Sequence, residues 1–299
     1  MKEEVVKLNS PRAWVLAARP KTLTGAAVPV MVALALAWND CGSASFRWIP
    51  AVLCVLFAFI MQIDANLIND YFDYRKGTDD EQRLGPKRAC AQGWVTLKAM
   101  RIAIAITTAL ACLTGLPLIH YGGWEMVSVG VLCVLFCFLY TTHLSYRGMG
   151  DLLVLVFFGI VPVCATYFIQ THTATLEVLA ASLACGLIID TLLVVNNYRD
   201  RDNDRRTGKR TLVVRIGKQA SERLFLGLGV AGCLLGLTYV AYGHIWAFVL
   251  PLLYLGLHIL TYRRMVVIGS GVRLNGILGE NARNMFIYGI LVTIGLLIG

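Results

Sequence analysis

Charge is scarce in this chain. Lys, Arg, Asp and Glu make up 15% of its 299 residues, where an ordinary soluble domain carries about 25%. That shortage argues against a soluble globular protein. Paired thiols are missing too: the nine cysteines hold no C-x-x-C spacing and mostly sit inside apolar runs, as small packing residues rather than disulfides or zinc ligands. The five histidines are far apart, and no two have metal-ligand spacing. The opening MKEEVVKLNSPRAWVLAARPK mixes acid and base before any apolar run, so it does not read as a cleaved signal peptide. What fills the chain is hydrocarbon: 57% of residues are hydrophobic and the mean hydropathy is +0.66. An integral membrane protein is implied.

A spanning helix needs about 20 mostly apolar residues. Nine segments qualify, at 22–38, 48–72, 97–118, 123–142, 150–170, 176–198, 222–242, 245–262 and 282–298. Connections after odd-numbered segments are short, and most of those after even-numbered ones are longer and basic. With the N-terminus in the cytoplasm, 26 of the 27 Lys and Arg fall on the cytoplasmic side or at its helix ends, leaving only Arg47 outside. The expectation is an all-α, multi-pass bundle of nine transmembrane helices. Much of the net charge of +9 is then a topological signal, and nucleic acid is not implied as a partner. The excess gathers around 74–101 and 199–223, beside most of the acids, and retention of positive loops needs no Asp.

Two polar clusters stand out. One reads N66-x-x-N69-D70-x-x-D73-x-x-x-G77-x-D79, and the other N196-N197-x-x-D200-x-D202-x-D204-x-x-x-G208-K209-R210. Each begins where a hydrophobic segment ends, sets Asn four residues before its first Asp, and runs on to Gly and basic residues. Helices 2 and 6 are four spans apart, so both clusters face one side. A 4+4 parallel pseudo-repeat plus one helix is the economical account. Asn66, Asn69, Asp70 and Asp73 share one helical face, as do Asn196, Asp200 and Asp204. Stacked carboxylates repel unless a cation lies between them, and carboxylate and amide oxygens suit Mg²⁺ or Ca²⁺. Mg²⁺ takes one or two carboxylates and completes its shell with substrate phosphate. Arg75, Lys76, Arg83, Lys87, Arg88, Arg199, Lys209 and Arg210 supply the cationic remainder of a Mg²⁺–diphosphate site.

Asp79, Asp80, Glu81 and Asp202 read equally well as solvated loop charges. Asp64 and Asp190 lie inside helices 2 and 6, where an acid costs roughly 2.5–3.5 kcal/mol on insertion scales and usually faces a cavity. Asp190 shares a stripe with Asn197 and is expected to line that cavity, whereas Asp64 suits a structural hydrogen bond as well. A diphosphate site at the mouth of a bundle suits a polyprenyl diphosphate, with its head among the Asp and Arg residues and its tail between helices in membrane lipid. Ionisation of its C–O bond gives an allylic cation, which a dry cavity protects.

The segments NLINDYFDYRKGTDDEQRLGPKRA and NNYRDRDNDRRTGKRTLVVRIG resemble the two Asp-rich motifs of the UbiA-type intramembrane aromatic prenyltransferases, and ARPKTL at 18–23 resembles that family's entry to helix 1. RLGPKR, NNYRD, GKRTLVVR, FFGIVPVCATYFIQT and RLN are similar to the branch that prenylates 1,4-dihydroxy-2-naphthoate. The resemblance covers most of the chain and implies a single transmembrane prenyltransferase domain over 1–299. Carried over, it implies one Mg²⁺ on Asn66, Asp70 and Asp73 and a second on Asn196, Asp200 and Asp204. Arg88, Arg199 and Lys209 would contact diphosphate, with Arg19 and Lys21 nearby. The family's first motif often has a third Asp where this chain has Gly77, which leaves Asp79 without a settled metal role. The implied reaction is electrophilic aromatic substitution with loss of CO₂ and diphosphate, giving demethylmenaquinone at the plasma membrane, with the site on the cytoplasmic face. A second-motif carboxylate, Asp190 or Asp200, would take the proton of a ring hydroxyl.

Other readings remain beside this one. The acceptor could be 4-hydroxybenzoate, a chlorin or haem. An ion or substrate transporter would place its acids near mid-membrane between inverted repeats, unlike these clusters. GLGVAG at 227–232 fits a dinucleotide fingerprint only by spelling, since no strand precedes it, and close helix packing explains it better. In TTHLSYRGMG, His143, Tyr146 and Arg147 are candidates to touch substrate. No protein partner is inferred.

Overall fold

The fold, a computed structural model describing residues 6–77 and 84–299, is helical throughout, with no strand among the described residues. Asp79, Asp80, Glu81 and Arg83 lie outside the described residues. Nine helices there are long and apolar enough to cross a membrane: α1 (Pro11–Ser45), α2 (Trp48–Arg75), α3 (Leu97–Gly122), α4 (Glu125–Arg147), α5 (Gly150–Thr171), α6 (Leu176–Arg206), α7 (Lys218–Ala241), α8 (Ile245–Ile268) and α9 (Leu274–Ile298). This is a multi-pass membrane protein.

Local chemistry sets the helix ends. Thr96 and Thr175 cap α3 and α6 through the amides of Ala99 and Val178, filling otherwise orphaned donors. Several ends differ from the expected spans, three of them beside the polar clusters. The first span breaks at Arg19, which adopts a left-handed backbone (φ 51°) between a short helix, Pro11–Ala18, and the crossing segment, Leu23–Ser45. α6 runs to Arg206 rather than stopping at 198, and α9 starts at Leu274 rather than 282. Hydropathy ends a span where polarity begins. These helices continue because their polar turns find partners in other parts of the chain.

α2 packs along α3 and α4, and α6 packs along α5 and α7. α1 packs on α5 and α6, and α9 returns to close against α1, α6 and α8. The main core joins Val28, Val32 and Leu36 of α1 to Cys185 and Ile188 of α6 and to Tyr254, Met285 and Tyr288 of α8 and α9. Gly159 and Gly186 bring α5 against α6. A Cβ on Gly159 would sit 2.5 Å from the Ser182 carbonyl and 2.8 Å from the Gly186 Cα. In GLGVAG, Gly229 faces the His258 ring and Gly232 faces Ile188, so these glycines serve helix packing. π-helical turns at Tyr140–Leu144 and Leu155–Ile160 interrupt α4 and α5. Such interruptions often mark functional regions.

Candidate functional site

The C-terminal turns of α2 and α6 meet at one end of the bundle. Asp70 and Asp73 lie in the last turns of α2, and Asp200 and Asp204 in those of α6. The turn at 145–148 joins them. Tyr146 donates its hydroxyl to Asp73 Oδ1 (3.2 Å), while the ammonium of Lys76 lies 3.9 Å from its ring centroid and that of Lys209 lies 5.6 Å away. The Tyr146 carbonyl also accepts from the amide of Arg210 (3.1 Å). Groups from both motifs therefore surround one aromatic ring, and Lys209 approaches Asp204 at 4.0 Å. Burial pushes the Lys76 ammonium below the usual lysine range, with Asp73 opposing and Lys209 adding to the shift.

The individual residues are tied in different ways. Asn66 brackets α1 to α2: its Nδ2 donates to the Ala18 carbonyl (2.9 Å) and to Thr22 Oγ1 (2.8 Å), and its Oδ1 accepts from Arg19 and Gln62. That bracket holds the left-handed Arg19, whose guanidinium reaches within 3.9 Å of Asp70. Backbone strain of this kind gathers at functional positions. Asp70 is buried and grips the segment after the first motif, accepting from the amides of Ala89 (2.8 Å) and Cys90 (2.9 Å). Arg88, just before those amides, lies 4.0 Å from Asp73. Asn69 accepts from the Thr141 hydroxyl, and Lys21 is exposed at the turn after Arg19.

Arg199 is the centre of the second half. It holds Asp200 through Nε (2.8 Å) and Nη2 (2.6 Å), Asn196 through Nη2 (2.8 Å), and Asn275 through Nη1 (2.9 Å). Its guanidinium is thus an internal brace in this arrangement; among the other cations, Lys76 donates to the Thr141 (3.0 Å) and Thr142 (2.5 Å) carbonyls, while Arg88 lies beside Asp73 and Lys209 beside Asp204. Asn275 in turn donates to the Leu84 carbonyl (2.8 Å), linking the second motif to the segment that Asp70 holds. Deeper in, Asp190 is buried with its Oδ1 unpartnered among the described residues. Asp151 has an unpartnered buried Oδ1 as well, and Tyr140 lies within electrostatic reach of both. A small pocket is lined by Tyr140, Asp151, Asn197 and Lys209; Asp190, expected to line the cavity, is not among its lining residues. Asp64 is separate from all of this: it accepts from Thr107 (2.5 Å) and Thr108 (2.7 Å) of α3 as a helix–helix staple. His143 is exposed, and Arg147 offers its carbonyl to Arg215 (2.5 Å).

Sequence reasoning missed Tyr140, Asp151 and Asn275 as members of the site. Asp151 opens an apolar run, a signal that was available. Asn275 stood within RLN, but its role depends on α9 beginning eight residues early. Among the described residues no three of His, Cys, Asp and Glu converge into a ready metal cage. The donor set fits a hard cation whose shell is completed by phosphate oxygens rather than by protein alone.

A protein from Escherichia coli named 1,4-dihydroxy-2-naphthoate octaprenyltransferase is 36% identical over 226 residues, covering 73% of this chain and 72% of that protein. The fold superposes on an apo UbiA homolog from Aeropyrum pernix with a TM-score of 0.67 at 17% identity, covering 92% of this chain and 97% of that one. It also superposes on a UbiA homolog from Archaeoglobus fulgidus bound to GPP and Mg²⁺, with a TM-score of 0.63 at 14% identity and coverage of 94% and 99%. A model of the UbiA prenyltransferase family matches residues 26–289, and the chain belongs to that family.

Proposed function

We propose that this protein transfers a polyprenyl group from polyprenyl diphosphate to 1,4-dihydroxy-2-naphthoate in menaquinone biosynthesis, with Mg²⁺ as cofactor. The observation that carries the reading is the meeting of the two Asp-bearing helix ends around Tyr146, with Lys76 and Lys209 near its ring and Arg88 beside Asp73. The names of the 36% identical relative and of the Mg²⁺-bound homolog support it. In this reading the N-terminus and the mouth face the cytoplasm, and the membrane is the plasma membrane.

Asp70 and Asp73 with Asn66, and Asp200 and Asp204 with Asn196, would hold two Mg²⁺ ions together with the substrate diphosphate. Bound there, the metal would neutralise the charge that builds on the leaving diphosphate. Arg88 and Lys209 would hold the same head by charge-assisted hydrogen bonds, with Lys76 braced on the Thr141 and Thr142 carbonyls beside them. The allylic C–O bond breaks and its electron pair leaves with diphosphate. The ring carbon bearing the carboxylate forms the new C–C bond, and the bond to that carboxylate breaks to release CO₂. Asp200 is held by Arg199 on both oxygens, whereas Asp190 has a free acceptor, so Asp190 is the better placed of the two to take the ring hydroxyl proton as the ring attacks and to return it to that oxygen once CO₂ has left. Apolar walls keep water from the cation.

The test is purified protein in detergent, assayed against dihydroxynaphthoate, 4-hydroxybenzoate and other aromatic acceptors. Release of CO₂ with dihydroxynaphthoate is expected. A product that keeps its carboxylate, or preference for another acceptor, would overturn the acceptor assignment. EDTA should abolish transfer and Mg²⁺ restore it; full turnover in excess chelator would refute the metal.

A further inference from the structure

A groove of about 490 Å³ runs along the outer surface beside the site, lined by Trp14 and Ala18 of the first short helix, Ile63 and Leu67 of α2, and Ile102, Ala103 and Ile106 of α3 among others. Its walls are apolar. At the mouth end of α3, Lys98 lies on the same stripe as Ile102 and Ile106, one turn before Ile102, and Arg101 is one turn on from Lys98. Both are exposed, and neither has an ion-pair or hydrogen-bond partner among the described residues. They stand in the first two turns of a helix with no acid in its first turn. Cations there oppose the helix dipole, which favours anions at an N-terminus. A local rule broken without internal compensation points to a partner from outside. Topological retention of positive charge explains having cations near this end, but not their alignment with an apolar groove. Alongside, Val15 and Leu16 of Pro11–Ala18 are exposed while Ala13 and Ala17 are buried, so this helix presents apolar residues outward at the interface.

We propose that this groove binds one anionic phospholipid, its acyl chain against Trp14, Ile102 and Ile106 and its phosphate on Lys98 and Arg101. The chemistry is complementary at both ends: hydrocarbon against hydrocarbon, and a headgroup anion against two cations and a helix N-terminus. Basic pockets between membrane helices recognise such headgroups. The site is separate from the diphosphate mouth and uses none of its residues.

Tryptophan fluorescence in nanodiscs tests this with the full chain. Brominated phosphatidylglycerol and brominated phosphatidylcholine are compared at equal mole fraction, and the Trp14 signal is isolated by subtracting Trp14→Phe. Stronger quenching by phosphatidylglycerol is expected, with the preference weakened about fivefold for each charge removed in Lys98→Gln and Arg101→Gln. Ala103→Phe, which fills the groove and keeps both charges, should also remove the quenching. Equal quenching by the two lipids, or a preference unchanged in the double variant, would overturn the site. Quenching relieved by polyprenyl diphosphate would make the groove a substrate-tail channel instead, and would equally overturn it.

Discussion

Asn275→Ala tests whether the two halves of the site act as one. Asn275 accepts from Arg199 Nη1 at 2.9 Å and donates to the Leu84 carbonyl at 2.8 Å. The first bond involves a charged donor and is worth about 1.5–3 kcal/mol, and the second about 0.5–1.5 kcal/mol. Losing both leaves the guanidinium that orients Asp200 under-partnered and frees the segment that Asp70 holds at Ala89 and Cys90. If half to all of the first term is expressed in the transition state, prenyl transfer falls roughly 4- to 160-fold. Asn275→Asp separates the terms. Its carboxylate can still accept from Arg199 but cannot donate to Leu84, so it should restore most of the rate while leaving residues 84–90 poorly protected. The assays are transfer kinetics and amide hydrogen exchange over 84–90. Wild-type kinetics and wild-type protection in Asn275→Ala would show that the link carries no energy, and the coupling argument would fail.

Asp70→Asn exchanges one of two carboxylate acceptors for an NH₂ that faces an amide donor, so stability should drop by about 1–3 kcal/mol and activity should vanish; an unchanged thermal midpoint in detergent would deny the clamp. Gly229→Ala drives a Cβ to 2.3 Å from the buried His258 ring and should destabilise by about 1–3 kcal/mol, whereas Gly227→Ala, with nothing within 4 Å, should be neutral. Because the Lys76 ammonium is pushed down by burial, it loses its proton at lower pH than a free lysine side chain. Amine acylation at Lys76, read by mass spectrometry across a pH series, should therefore set in earlier than in a denatured control; a later onset would contradict the sign.

The spanning helices were legible because lipid imposes one requirement, a long apolar run with satisfied backbone, and that requirement shows in composition. The ends of α6 and α9 were not. Arg199, just past the expected end of α6, meets Asn275, in the added first turn of α9. Neither residue announces it, since each is an ordinary polar residue past an apolar run. The two polar clusters could be read from NLIND and NNYRD because their spacing repeats, and the family from the resemblance of those segments to its motifs.

What spacing cannot distinguish is a carboxylate that faces a ligand from one that faces the chain. Asp64 and Asp190 are both acids inside apolar helices, and periodicity places neither against a partner. Packing separates them: Asp64 meets two threonines on α3, while Asp190 keeps an unpartnered oxygen near Asp151. The same ambiguity runs through the motif itself. Asn66 and Asp70 lie on one face, as their spacing requires, yet that face is turned partly toward Ala18, Thr22, Ala89 and Cys90. Residues read as ligands therefore also fasten the α1 break and the 84–90 segment to α2. A cation completed by diphosphate would then sit on groups whose positions depend on those same fastenings, Asp70 above all, since it also accepts from the Ala89 and Cys90 amides.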